Sequence, residues 1–462
     1  MSESFKKEKR ILEESAAKLL EFAKKAGADS AEVAASYGQS TKISMEKQEY
    51  HMASSDSGFQ FGVRVMRGNK QGFASCNTTD PAELKEVALR AVEIGGFSPD
   101  NPSYGIFAAP NVPSNAPKTT LNESLMGLSL QTQKEFIKLL YKESTQDKRM
   151  KVNEGSVDNS SHLFLVTNSF GTHQLEMDCA FSWSLMGMAK EEDVLTSFDY
   201  FSEFTRDKNL IGEKIISSTQ KFKNELVRSL KQGHGQSYKG LVLFTPRAVL
   251  DILISTVAYH FSGRNLAEKT SRWNLNDLNQ KVLNEALTIQ DLPWQIDRRG
   301  FATFDREGTP TRNLMAIENG VLKNFFFDHY SAKSTQQVST GHAVGAPSAL
   351  PSVSSHCLSV EKGKEALKDI VAKTKHQPGL LIVHRYSGQA DPITGDFSGV
   401  AKGAEWWVDG SFAFSPKETL ISGNVYQALG KDLKAISIET EVIDSGEEAP
   451  SFLIDEISVT AG

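Results

Sequence analysis

G-L-L-I-V-H-R-Y-S-G-Q-A-D-P-I-T-G-D-F-S-G-V-A-K-G-A-E-W-W-V-D-G, residues 379–410, is the stretch on which the reading of this chain turns. Leu380–Val383 is a short apolar run bounded by turn formers, which predicts a buried strand. From Gly388 to Asp396 the sequence is punctuated by glycine, proline and aspartate, which predicts a sharp change of direction. Ala404–Val408 is strand-like again, and Asp409-Gly410 is a strong hairpin dipeptide. Glycines 388, 395, 399 and 403 let backbones approach closely or take positive φ. The stretch therefore reads as a β-hairpin with a long, structured tip, either a plain solvated loop or the lining of a groove.

Strand signals continue on both sides. Downstream, Thr419–Gly423 and Phe452–Val459 read as strands. Upstream, Glu365–Thr374 reads as a short helix and Gly341–Gly345 as a glycine-framed loop. Leu314–Glu318, Asn319-Gly320 and Val321–Phe327 read as strand, two-residue turn, strand. Asp305–Pro310 is a turn. Leu241–Phe244 is a strand, after which Thr245-Pro246 caps and opens a helix with Val249, Leu250, Ile252, Leu253, Val257 and Ala258 on its apolar face. Trp406 and Trp407 are candidates for the core or for an interface.

The first half is more mixed. Phe5–Lys25 has the spacing of an amphipathic helix, stopped at Gly27. Phe59–Val65 alternates as a half-buried strand, turns at Arg67–Lys70 and returns over Gly72–Ser75. Asp80 caps a helix with Pro81 at its first position, and Gly95-Gly96 ends it. Ser98–Thr120 carries five prolines and reads as an extended surface crossing. A helix over Glu123–Glu143, a β-meander over Arg149–Phe204 and a helix over Lys214–Lys231 follow. His162 and His173 in the meander read as surface or cross-strand residues. The fold class is α+β. An N-terminal α/β-layered domain with antiparallel strands spans 1–235, and a β-rich domain, barrel-like or a strongly curved sheet, spans 236–462.

Composition narrows the function. The chain has 462 residues, 39 % hydrophobic and 23 % charged, which suits a folded globular protein. Net charge is −6 and no basic patch stands out, so duplex DNA has little electrostatic support as a ligand. Cys76, Cys179 and Cys357 are far apart and form no C-x-x-C pair, which argues against a disulfide framework or zinc ribbon and suits a reducing cytoplasm. The start lacks an apolar leader, and no run is long enough to cross a membrane.

A catalytic zinc usually takes three protein ligands. The ten histidines fall at 51, 162, 173, 234, 260, 329, 342, 356, 376 and 384. No two lie within five residues of each other, and none is followed by Glu. His260 is the only histidine on the 245–261 helix, where Asp251 reads as an exposed polar-face acid. Asp444–Gly462 contains no cysteine. The reading is no catalytic residue and no metal ligand in this chain, with a site built from distant residues left open. His384, Ser387 and Asp391 lie close in sequence, followed by Ser398, but there is no G-x-S-x-G elbow around a nucleophile. His342, His384, Asp391 and Asp396 are candidates for lining a substrate groove, from their places in glycine-framed loops; solvated loop residues are the plainer reading.

Several segments together resemble one family. They are I-T-G-D-F-S-G-V-A-K-G (393–403), F-G-V-R-V (61–65), D-P-x-E-L with A-L-R-A (80–91), D-R-E-G-T-P-T (305–311), I-E-N-G-V-L-K (317–323), S-T-G-H-A-V-G (339–345) and I-S-G-N-V (421–425). In this order they resemble the TldD/PmbA family of metallopeptidase-related proteins, also called modulators of DNA gyrase. In its TldD-like members the helix after the first strand of the C-terminal domain carries His-Glu-x-x-x-His. Those histidines and a C-terminal cysteine hold the metal, and the glutamate is the general base. The corresponding helix here, T-P-R-A-V-L-D-I-L-I-S-T-V-A-Y-H-F, lacks the motif. The resemblance is therefore to the TldE or PmbA-like subunit. It implies a heterodimer with a TldD-like homologue that holds a divalent metal, expected to be zinc, and that cleaves peptides or unfolded protein. This chain would be inactive alone, without a cofactor of its own, and would frame part of the enclosure and groove. Two other readings stay open: a peptidase in its own right, and a binding or scaffold protein without proteolytic role.

Overall fold

The structure, a computed structural model, describes residues 3–46, 49–113, 115–118, 122–375, 379–443 and 446–462. His376, residues 114 and 119–120 of the proline-rich crossing, and residues 444–445 of the last segment lie outside the described residues.

Four long antiparallel strands organise the first half: β1 (Ser30–Glu46), β2 (Glu49–Arg67), β4 (Met150–Asn168) and β5 (His173–Glu191). With β3 (Lys70–Cys76), β6 (Val194–Leu195) and β7 (Asp199–Thr205) they form one seven-stranded sheet. At ~3.3 Å per residue, strands of 17 to 19 residues run for about 60 Å, longer than one helical layer can cover. Two separate cores therefore share one face. Ala31, Val33, Ala35 and Leu163 pack under α1 (Glu3–Lys25) and α2 (Pro81–Phe97). Ile43, Val157, Phe181 and Trp183 lie farther along the strands. They pack under the short α3 (Glu123–Met126), α4 (Leu130–Ser144) and α5 (Ile211–Arg228).

Several expectations meet their structural counterparts here, with changes. Asp80 accepts from the backbone N–H groups of Ala82 and Glu83, as its position predicted. The Gly95-Gly96 pair does not end α2, which runs on to Phe97. Gly95 is instead where β3 presses on the helix, since a Cβ on Gly72 would lie 1.9 Å from the Ala91 carbonyl oxygen and 2.6 Å from the Gly95 nitrogen. The single helix expected over Glu123–Glu143 breaks at Gly127, and Ser129 recaps it by accepting from Thr132 N–H.

The second half is built on a 14-stranded sheet among the described residues. Its centre is Tyr238–Phe244, which pairs in parallel with Leu380–Val383 and antiparallel with Glu448–Thr460. The Asn319-Gly320 turn has positive φ at both residues (49° and 78°), as a two-residue hairpin requires. The strand after it is short, Val321–Leu322. No helix among the described residues is long and apolar enough to cross a membrane.

The opposite face of the first sheet meets the D-R-E-G-T-P-T segment. Arg64 on β2 donates to Glu32 of β1 at 2.9 Å and to Glu307 at 2.7 Å, and Arg306 reaches Glu32 at 3.3 Å. All four side chains are at most 3 % exposed. Burial works against the Arg64 charge, but the two carboxylates outweigh it and its pKa rises. Arg306 goes the other way: burial and the neighbouring Arg64 outweigh the same carboxylates. Asp305 is buried beside Glu307, and its carboxyl is held well above the usual range. Backbone contact is equally tight, since a Cβ on Gly62 would lie 1.7 Å from the Pro347 carbonyl oxygen.

Candidate functional site

The helix after the first long strand of the second half begins at Pro246. Thr245 precedes it but makes no side-chain cap. Its N–H donates to Val383 O at 3.0 Å and its hydroxyl to His384 O at 3.3 Å, tying the helix start to the hairpin that opened the sequence reading. Between Val249 and Ile254 the helix widens to a π turn, with Ser255 N–H donating to Leu250 O. Such widened turns often accompany function. Val249, Leu250, Ile252, Leu253, Ile254 and Val257 are buried. Asp251, Ser255 and Tyr259, spaced by four residues, share the other face.

That face borders a cleft of about 200 Å³ whose far wall is Tyr386, Gly388, Ala390 and Pro392. Tyr386, Gly388 and Ala390 belong to the strand Arg385–Ala390, which among the described residues pairs with Asp396–Lys402 alone, so no described strand covers the other edge of Tyr386–Ala390. Ser387, Gly388 and Gln389 are exposed. Gly388 lies in this strand and not in the turn, correcting the sequence reading. It stands opposite Gly399, where a Cβ on either glycine would come within 2.6 Å of a backbone oxygen.

The turn proper is Asp391–Gly395, and its conformation is heavily specified. Asp391 Oδ1 accepts from the N–H groups of Ile393 (2.7 Å) and Thr394 (3.0 Å). Asp396 Oδ1 accepts from Asn424 Nδ2 at 2.9 Å, and Asp391 N–H donates to Asp396 O at 2.9 Å, so the two aspartates meet at the hairpin tip. His260, at the end of the helix, has its Nδ1 facing the Arg272 N–H at 3.0 Å, so that nitrogen accepts and Nε2–H donates to Pro392 O at 2.7 Å. Tyr426 O–H also donates to Pro392 O. Burial lowers the His260 pKa, which favours this neutral, donating imidazole. Burial pushes the Tyr426 phenol up to about 12.

The other two groove candidates lie elsewhere. His384 precedes the edge strand, and its Nε2 is 3.6 Å from Glu405. Glu405 also accepts from Trp407 Nε1 at 2.6 Å and pairs with Arg228 at 3.1 Å. His342 is 1 % exposed and lines no surface. It stacks on Phe326 at 4.2 Å between centroids, and its Nε2 faces Asp291 at 3.1 Å. The glycine frame around it serves packing: Gly341 has φ 77°, and a Cβ there would lie 2.6 Å from Pro310 O. The sequence reading also gave Asp251 no more than a polar face; the strand Arg385–Ala390 and Pro392 opposite make it part of a cleft.

A centre of the TldD-like kind needs imidazoles and a thiolate. The cleft offers one carboxylate, Asp251, and the hydroxyls of Ser255, Thr256, Tyr259 and Tyr386. His260 is committed to Pro392 and Arg272. These donors do not fit a zinc centre. Among the described residues no group of three or more His, Cys, Asp or Glu side chains is placed to hold a metal ion. Burial pushes the Cys357 thiol up to about 12, the opposite of a ready thiolate ligand.

Comparisons with known proteins agree with the fold. Residues 31–95 match PmbA/TldA metallopeptidase domain 1, and residues 237–461 match the PmbA/TldA metallopeptidase C-terminal domain. Metalloprotease PmbA of Escherichia coli O157:H7 is 25 % identical, over 98 % of this chain and 96 % of its own. The metalloprotease PmbA homolog of Haemophilus influenzae is 25 % identical, over 96 % and 94 %. The crystal structure of TldE from Thermococcus kodakarensis superposes with a TM-score of 0.85 at 25 % identity, covering 97 % of this chain and 100 % of that one. A putative modulator of a DNA gyrase from Thermotoga maritima shares the fold at a TM-score of 0.82 and 19 % identity, covering 97 % and 100 %.

Proposed function

This chain belongs to the PmbA/TldD metallopeptidase family, and from that premise we propose that it is the subunit without a metal centre. It acts as the TldE- or PmbA-like half of a peptidase whose catalytic metal is held by a TldD-like homologue. The observation that carries this reading is the donor set of the cleft: one carboxylate and four hydroxyls stand beside the helix where the TldD-like pattern would place His-Glu-x-x-x-His. Its part is then to bind and orient. Among the described residues the stretch Tyr386–Ala390 is paired by a strand on one edge only, and an extended peptide adds along the other as a further strand. Main-chain hydrogen bonding of that kind favours unfolded segments over particular sequences. His260, Tyr426 and Arg272 hold the tip at Pro392 and Ile393, and so fix one end of that edge.

The test is co-expression with a homologue bearing His-Glu-x-x-x-His, followed by sizing and assay on an unfolded peptide. The reading predicts one complex that cleaves, with this chain alone inactive. Two separate peaks, or cleavage by this chain in isolation, would overturn it.

A further inference from the structure

A second cleft, about 350 Å³, opens between the proline-rich crossing, β5 and the segment Thr303-Phe304. Pro113, Leu175, Met177 and Phe304 make its walls largely apolar. Glu176 faces it from β5. One carboxylate oxygen, Oε2, accepts from Thr303 N–H at 2.8 Å and from the Thr303 hydroxyl at 2.7 Å, which fixes the side chain. The other, Oε1, has no hydrogen bond among the described residues, and no cation there forms an ion pair with Glu176. The nearby Arg206 is already committed to both oxygens of Asp178 at 2.7 Å. Burial raises the Glu176 pKa against the pull of the Thr303 hydrogen bonds. A carboxylate held in an apolar cleft without a cation is unfavourable, and an arriving positive charge relieves it.

We propose that this cleft binds a primary ammonium on an aliphatic stem, seated on Glu176 Oε1. Its volume lies at the low end of ligand pockets, enough for a side chain or a small amine. Pro113 and Ala116 supply apolar surface for an aliphatic stem. Phe304, stacked on Phe164 at 6.0 Å, lines the same cleft. The chemistry is that of a lysine side chain in a peptide or of a free alkyl diamine. Lys118, exposed at the rim, is the chain's own competitor. The proposal does not depend on the metal-free reading.

The test is binding by calorimetry and thermal melting, using 1,5-diaminopentane, acetyl-Gly-Lys-Gly-amide and its norleucine counterpart, on the wild-type chain, Glu176→Gln and Lys118→Ala. Glutamine keeps an acceptor for Thr303, so the fold is preserved. Wild type and Lys118→Ala bind the diamine, and Glu176→Gln binds at least about tenfold more weakly, the loss expected for a charge-assisted hydrogen bond. Binding of the lysine peptide but not the norleucine one assigns the side chain as ligand; binding of the diamine alone assigns a free amine. Equal binding by Glu176→Gln, or binding seen only in Lys118→Ala, would overturn the proposal.

Discussion

Replacing Arg64 by methionine removes one guanidinium from two buried carboxylates. Its contacts to Glu32 (2.9 Å) and Glu307 (2.7 Å) join the first sheet to the second half of the chain. Breaking a buried pair costs about 3–5 kcal/mol, chiefly because the remaining charge is left without a partner. Glu32 would keep Arg306 at 3.3 Å, and Glu307 would keep the His329 N–H at 2.7 Å and the attraction of Arg306, but no direct ion pair among the described residues. One carboxylate thus keeps an ion pair and the other loses its own, which places the loss at about 3–4 kcal/mol. Urea unfolding at pH 7, followed by tryptophan fluorescence, reads it as a midpoint lowered by about 1 M for a slope of ~3 kcal/mol/M. Trp183 reports on the first half and Trp406 on the second, so the transitions can be compared. The variant Arg64→Met, Glu307→Gln removes the stranded carboxylate while leaving Glu32 with Arg306, and should recover at least half of the loss, about 2 kcal/mol. A single variant within about 1 kcal/mol of wild type, or a double variant less stable than the single one, would refute the reasoning.

Two other perturbations probe the same scaffold. Gly62→Ala drives a Cβ to 1.7 Å from Pro347 O, backbone against backbone, and should cost about 2 kcal/mol or more, whereas Gly58→Ala, with nothing within 4 Å, should stay within about 0.5 kcal/mol. Comparative urea melts decide between them. Burial alone would raise the Asp291 carboxyl, but the hydrogen bond with His342, nearby imidazole charge and the Cys357 N–H hold it below its ordinary 3.8. Its contribution is therefore complete above that unfolded value and is lost as pH falls through the lower folded one. Asp291→Asn should flatten the acid side of the stability profile, and an unchanged slope below pH 4 would count against this, since pH 4 is about where an unperturbed aspartate titrates.

How much of this was legible depended on what each segment packs against. Asp80-Pro81 announced its helix because capping is local, and Asn319-Gly320 and Asp409-Gly410 announced their turns because positive φ is local. The first strand, Ser30–Glu46, and the outer part of β2 stayed hidden. Glu49–Gly58 is almost wholly exposed, so its pairing with β1 leaves no apolar alternation to read. Strand Leu433–Val442 was missed for the same reason: a mixed burial pattern along an edge. At the candidate site, the hairpin and its tip aspartates could be read from glycine and proline punctuation. The role of His260 could not, because its partner Pro392 is 132 residues away. His342 misled because a glycine-framed loop looks the same in sequence whether the glycines serve a ligand or let two backbones touch.

Metal content of the purified chain, by plasma mass spectrometry after dialysis against zinc, tests the central claim most directly. The donor set beside the 246–261 helix predicts retention far below one equivalent, with the TldD-like homologue retaining its own. One tightly held equivalent per chain, removed by a chelator and restored on adding zinc, would contradict it.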